Sequence, residues 1–310
     1  PDAVVAAESP GRRFDSFTML VKVNHDEEFE MSAQLSPLAR FDNLLLATDG
    51  SDVSTGAVRV ALHLASRCGA HLTVMHMAQT LPDYAMFNPG GVREAEEAGH
   101  AVLREVEEQA GTACVNCAPV LRYGDEPVRE ISAQAEESQA DLVIMGRRGV
   151  HWLERLMLGE AAARVIGHVH CSVVVVPKES GIWEKGILLA VDGSRFADAA
   201  AVAAGNLARR CGLPVTVLSV CANDDLKCEM VQAMADRVRD LLRKEGVAAD
   251  STVKEGNPAK AIVEAAEENE CDLIVLGSHG RTGLDRILMG SVSQQVVVQA
   301  KCPVLVAKAV

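Results

Sequence analysis

Aromatic residues are scarce in this chain of 310 residues, and basic residues are fewer than acidic ones. Phe, Tyr and Trp together make up 3% of the sequence, whereas hydrophobic residues of all kinds make up 48%. The core must therefore be built from Val, Leu, Ile, Ala and Met. There are 30 Lys and Arg against 43 Asp and Glu, a formal net charge of -13. Nucleic acids and anionic membranes would repel such a chain, so neither is an expected partner.

Long apolar runs and a cysteine framework are also missing. No run approaches the ~18 apolar residues that a membrane-spanning helix needs. Arg12 and Arg13 are not followed by an apolar block, so no secretory signal is predicted. The nine cysteines are odd in number and irregularly spread. This usage favours reduced thiols, and we expect a cytoplasmic protein.

The sequence repeats itself. Leu44–Ser51 (LLLATDGS) returns as Ile187–Ser194 (ILLAVDGS), 143 positions later. Asp141–Gly146 (DLVIMG) returns as Asp272–Gly277 (DLIVLG), 131 positions later. The first copy therefore holds 12 extra residues, which we place in a loop over residues 81–91 because that stretch is rich in Pro and Gly.

In both copies, short apolar runs alternate with helical patterns. This alternation predicts βαβ units and a parallel sheet with helices on both faces. We therefore predict two α/β domains of five strands each, over residues 42–177 and 187–310. Residues 1–41 have no counterpart in the second copy and are predicted to form an N-terminal extension.

A glycine motif follows the fourth strand of the second copy. Gly277 and Gly280 are followed, after nine residues, by Gly290 and Ser291. Ser291 is a favoured helix N-cap residue, and free N–H groups at a helix start bind anions. Asp192 ends the first strand, and ligands of open parallel sheets bind at the carboxyl ends of strands. Glycines after a strand are also common turn residues, but the combination favours a phosphate ligand carrying a ribose or a base.

These residues resemble a tandem universal stress protein, whose nucleotide pattern is G-2x-G-9x-G-(S/T). The resemblance covers residues 42–310 and implies the sheet order 3-2-1-4-5 in each domain, with ATP held by the second. Arg281 could contact a phosphate or remain solvated. The final strands, 173–176 and 304–306, resemble the family's dimer edge, so they could pair within one chain, and a homodimer is also possible. The implied nucleotide contacts are Asp192, Val220, Gly277, His279, Gly280, Arg281, Gly290, Ser291, Val292 and Ser293.

The first copy departs from this pattern. Gly146, Gly149 and Gly159 keep the spacing, but Glu160 stands at the position of Ser291. Two unit charges about 4 Å apart repel by up to about 4 kcal/mol at an effective dielectric near 20. The helix dipole offsets only about 0.3–2 kcal/mol. We therefore expect one ATP per chain, unless an arginine reaches into the first site. The other replacements in this copy are Ala161, Ala162, Arg147 and Arg148.

The expected function is that of an ATP-binding module of the stress response, with little or no enzymatic activity. No Walker lysine is present, so hydrolysis should be slow at most. Mg²⁺ could join the nucleotide through Asp192. No catalytic residue is assigned, since nothing near His279 supplies a nucleophile or a base. A slow ATPase or phosphotransferase, and a scaffold that binds no nucleotide, remain the alternatives.

A second motif, Cys114-x-x-Cys117, could be a redox pair or half of a zinc site. His168 and His170 could complete the zinc site, but the implied sheet order places them at the opposite edge of the domain. No metal site is therefore predicted.

Overall fold

The structure is a computed structural model that describes residues 41–79, 89–147, 160–221, 225–280 and 289–309. The chain divides into two units, residues 1–36 and residues 37–310. All the described residues belong to the second unit, and the predicted extension lies outside them except at Phe41. Within the described part, no helix has both the length and the apolar character that a bilayer span requires.

Strands and helices alternate through both repeats. The first repeat comprises β1 (Asn43–Ala47), α1 (Thr55–Cys68), β2 (His71–Gln79), α2 (Pro89–Thr112), β3 (Cys117–Gly124), α3 (Pro127–Glu137), β4 (Leu142–Gly146), α4 (Glu160–His168) and β5 (Ser172–Val176). The second comprises β6 (Ile187–Ala190), α5 (Arg195–Cys211), β7 (Val215–Cys221), α6 (Asp225–Lys244), β8 (Ala249–Glu255), α7 (Pro258–Glu268), β9 (Leu273–Gly277), α8 (Ser291–Gln299) and β10 (Val304–Ala307).

Local signals explain several helix boundaries. α1 and α5 end at Gly69 and Gly212, whose φ angles of 64° and 70° are left-handed and close a helix at no steric cost to glycine. Pro127 and Pro258 stand at the first positions of α3 and α7, where a missing N–H is tolerated. The predicted loop over 81–91 is wrong at its end, because α2 already begins at Pro89; residues 80–88 lie outside the described residues.

The strands form one sheet in the order β3-β2-β1-β4-β5-β10-β9-β6-β7-β8. Each repeat contributes five parallel strands in the order 3-2-1-4-5, which confirms the predicted fold class. The two halves are not separate sheets, since β5 and β10 pair antiparallel with Leu305 opposite Val174. Both of these side chains are completely buried. The junction therefore lies inside an aliphatic core that both repeats share.

Candidate functional site

A cavity of about 240 Å³ opens at the carboxyl ends of the second repeat's strands. Its walls come from β6, β7, α5, α7, β9, the glycine loop and the start of α8. The structure brings together Asp192, Val220, Gly277, His279, Gly280, Gly290, Ser291, Val292 and Ser293 around it. Arg281, the remaining residue of the predicted site, lies outside the described residues.

Close backbone packing requires glycine at the start of this loop. A Cβ atom on Gly277 would lie 2.7–2.8 Å from the backbone of Phe196, a separation that real side chains do not show. A Cβ atom on Gly280 would lie 2.8 Å from Oδ2 of Asp192. The Asp192 carboxylate therefore lies directly against the loop, on the same wall of the cavity.

The start of α8 presents backbone donors to the cavity. Gly290 donates its N–H to the Ser278 carbonyl at 2.9 Å and precedes the first helical residue, Ser291. The Gln294 N–H then donates to the Gly290 carbonyl at 2.9 Å. The N–H groups of 291–293 come before that bond and so have no acceptor within the helix. The Ser293 hydroxyl donates to the Gly277 carbonyl at 2.8 Å and ties the helix start to the loop.

The Asp192 side chain is held by its own turn. Gly193 has a φ of 79°, and the Ser194 N–H donates to Oδ1 of Asp192 at 3.0 Å. Ser194 also caps α5, because its hydroxyl accepts the Ala197 N–H at 3.2 Å. These contacts orient the half-buried carboxylate beside the glycine loop and leave its second oxygen toward Gly280.

Part of the cavity lining is apolar. The apolar lining residues include Leu218 and Val220 of β7, Pro258 and Ile262 of α7, and Leu276 of β9. These side chains suit a mostly apolar group better than a charged one. The sequence reasoning identified Val220 but missed the two α7 residues, since only the tertiary fold brings that helix over β7.

His279 is partly held in place by its neighbours. Its ring packs on Phe196 with centroids 5.0 Å apart, and its Nδ1 lies 3.2 Å from the Ser278 hydroxyl. The imidazole thus lines the cavity next to the glycine loop, where it can donate a hydrogen bond to an anion.

The sequence matches one known protein family over most of its length. The model of the "Universal stress protein family" matches residues 40–177 and again residues 185–308. The chain belongs to the universal stress protein family. It is a tandem member, because the family match occurs twice along the chain. This result confirms the resemblance to a tandem universal stress protein that the glycine motif indicated.

Relatives include both single-domain and tandem universal stress proteins. One from Methanocaldococcus jannaschii is 37% identical over 142 residues, which cover 44% of this chain and 83% of the relative. A second, from Mycobacterium tuberculosis, is 27% identical over 289 residues, which cover 86% of this chain and 96% of the relative. Among solved structures, a universal stress protein from Archaeoglobus fulgidus shares the fold. Its TM-score is 0.69 at 23% identity, and the match covers 86% of this chain and 96% of that one.

The corresponding site in the first repeat of this universal stress protein is built differently. Asp49, the counterpart of Asp192, is buried and accepts both the N–H and the hydroxyl of Ser51, at 3.0 and 2.6 Å. Ala162 replaces Ser293 and offers no hydroxyl to the loop. The helix α4 begins at Glu160, whose side chain lies outside the described residues, as do Arg148, Gly149 and Gly159.

Arg147 contacts the other repeat. Its Nη1 donates to the carbonyls of Val298, at 3.3 Å, and of Ala300. These carbonyls lie at the C-terminal end of α8, so the guanidinium caps a helix of the other repeat and complements its dipole. The described contacts of Arg147 therefore place its Nη1 against the second repeat, whereas Arg148 lies outside the described residues.

Replacing Arg147 by alanine is expected to destabilise the protein by about 1 kcal/mol. Hydrogen bonds from a charged group contribute about 1.5–3 kcal/mol, and partial exposure of this side chain lowers the figure. Urea unfolding of the variant, with Arg147→Lys as the charge-retaining control, measures the effect. Unchanged stability in Arg147→Ala would show that the bridge between the repeats contributes nothing.

Asp198 is a titratable group near the site that sequence reasoning missed. Burial and the charge of Asp192 raise its pKa to about 6. A carboxyl whose pKa is raised in the folded state supports folding at low pH, and that contribution is lost as the pH rises through about 4 to 6. No sequence pattern marks this residue, because its burial depends on how α5 packs.

Asp198→Asn is therefore expected to raise the stability at pH 7 but not at pH 4. The amide removes both the desolvation of a charge and its repulsion from Asp192. Urea midpoints of the variant and the wild type at the two pH values test this. A wild type that is equally or more stable than the variant at pH 7 would contradict the assignment.

The cysteines correct one expectation. Cys221 and Cys228 form a disulfide, so the prediction of reduced thiols throughout is wrong. Cys114 and Cys117 are free thiols. Burial raises the pKa of Cys117 to about 11, which disfavours the reactive thiolate that a redox pair needs. His168 ends α4 with its Nδ1 2.7 Å from the Arg164 carbonyl, consistent with a helix-end role.

Proposed function

We propose that this universal stress protein binds one ATP per chain in its second repeat and acts as a nucleotide-responsive module of the cytoplasmic stress response. The observation that supports this most directly is the convergence of three features on one cavity. They are a loop whose glycines permit close backbone approach, the unpaired start of α8, and the Asp192 carboxylate.

The phosphates would lie against the N–H groups of 291–293 and of Gly280. A helix start presents oriented donors and a partial positive charge, which suits an anion. The base would lie between Val220 and the apolar α7 side chains, since that end of the cavity lacks charged groups among the lining residues. Asp192 would meet the ribose hydroxyls, or share Mg²⁺ with the phosphates through its oxygen atoms.

Equilibrium dialysis of the full chain against labelled ATP is expected to give a stoichiometry of one. The first repeat lacks the hydroxyl of Ser293 and carries a carboxylate at the position of Ser291, so its backbone donors face a competing negative charge. A stoichiometry of two would contradict the asymmetry between the repeats, and no binding at millimolar ATP would contradict the proposal altogether.

A further inference from the structure

We propose that Cys221 and Cys228 form a reversible dithiol–disulfide site that sets the affinity of the second repeat for its nucleotide. The proposal rests on the proposed function, because the affinity it concerns is that of the cavity described above. The bond joins the last residue of β7 to the first turn of α6.

The disulfide is connected to the cavity wall through two elements, β7 and α6. Cys221 directly follows Val220, which lines the cavity, and successive residues of a strand point to opposite faces. Farther along α6, Met234 packs against the turn that carries Asp192, since a Cβ atom on Gly193 would lie 2.7 Å from its Sδ atom. A bond that holds the start of α6 therefore restricts the motion of β7, which carries Val220, and of the turn that carries Asp192.

The first repeat has no such pair. In the matching strand register, Ala78 stands at the position of Cys221. Val102 of α2 contacts Gly50 as Met234 contacts Gly193, which places Glu96 at the position of Cys228. The disulfide is thus confined to the repeat that carries the complete glycine motif.

The two sulfurs differ in exposure, which assigns their roles in thiol exchange. Cys221 is buried, at 3% exposure, whereas Cys228 is half-buried and accessible to a small thiol. With a low-molecular-weight disulfide as oxidant, the Cys228 thiolate attacks one oxidant sulfur and releases one small thiol. The Cys221 thiolate then attacks the Cys228 sulfur and releases the second. The two protein thiols are thereby oxidised to a disulfide by loss of two electrons and two protons, and the oxidant is reduced to two small thiols.

The bonded form holds the cavity walls in place before the ligand arrives, and such preorganisation favours binding. Reduction is therefore expected to weaken ATP binding about fivefold or more, the lower end of typical coupling between sites. Thermodynamic linkage requires ATP to favour the disulfide over the dithiol by the same factor by which the disulfide favours ATP binding. Saturating ATP should shift the thiol–disulfide equilibrium of this pair toward the disulfide by the same factor.

Calorimetric titration of the full chain with ATP tests the inference in two buffers, one with oxidised glutathione and one with dithiothreitol. Alkylation and peptide mass spectrometry identify the state of Cys221 and Cys228. The wild type should bind more tightly when oxidised. Cys228→Ser and Cys221→Ala should show the weaker affinity in both buffers, and Cys114→Ser, which removes an exposed free thiol, should keep the difference.

The failures of the two proposals are distinguishable. Equal ATP affinity in the two buffers overturns the redox inference and leaves the nucleotide site standing. Absence of ATP binding in both buffers overturns the nucleotide site and the redox inference with it.

Glu255 lies close to the two sulfur atoms, and the three donor atoms are all within 4.8 Å of one another. Stoichiometric Zn²⁺ binding by the reduced chain that Glu255→Gln abolishes, with no redox effect on ATP, would overturn the inference in favour of a metal site.

Discussion

Gly290→Val is expected to lower ATP affinity by at least about 100-fold, which corresponds to about 2.7 kcal/mol. A Cβ atom at this position would already lie 3.3 Å from Cα of His279 and from the Ser278 carbonyl oxygen. The valine methyl groups would occupy the space between the glycine loop and the start of α8. Each displaced hydrogen bond between an amide and a charged phosphate contributes about 1.5–3 kcal/mol, so the loss of two accounts for the effect.

The fold should tolerate this change. Gly290 has φ −62° and ψ 146°, an extended conformation that any residue adopts. Calorimetric titration with ATP measures the affinity, and urea unfolding checks the stability. Gly159→Val, at the matching motif position of the first repeat, is the control and should leave ATP binding unchanged. If Gly159→Val abolished binding while Gly290→Val did not, the nucleotide would belong to the first repeat.

Leu305→Asp is expected to destabilise the protein by about 4 kcal/mol or more. The side chain is completely buried where β10 pairs with β5, directly opposite Val174. An unpaired carboxylate there must either lose its hydration or take up a proton, and both options disfavour folding. Urea or thermal unfolding measures the loss.

Leu305→Met is the matched control for this variant, because a volume-conserving apolar replacement costs less than about 1.5 kcal/mol. The contrast between the two variants isolates the effect of charge at the junction. If Leu305→Asp unfolded at the same urea concentration as Leu305→Met, the antiparallel junction would not be buried in solution.

The fold was predictable because its determinants are local and occur twice. Apolar runs, turn glycines and the prolines of α3 and α7 recur in the same order, at offsets of 143 or 131 positions, so each copy supports the interpretation of the other. The rule that ligands bind at the carboxyl ends of parallel strands then predicts that Asp192 and Gly277 lie together. The cavity contains both residues.

The features that sequence could not supply depend on contacts between distant elements. The target of Arg147 lies 151 and 153 residues away, in a helix of the other repeat, and becomes visible only once β5 and β10 are joined. The partner of Cys221 was missed because nine scattered cysteines allow many pairings. A cysteine at the end of an apolar strand, followed by another in the next helix, was the one available signal. The burial of Asp198 is likewise a product of packing.

The antiparallel contact between β5 and β10 reverses the direction of one half of the sheet relative to the other. The carboxyl ends of β6–β10 and those of β1–β5 therefore lie at opposite edges of the ten-stranded sheet. A protein that recognises the occupied cavity would contact Asp192 and the glycine loop at one of these edges. At the other edge it would find the first repeat's altered site. Such a receptor would bind this chain in one orientation, because the two repeats share a fold but differ at this site.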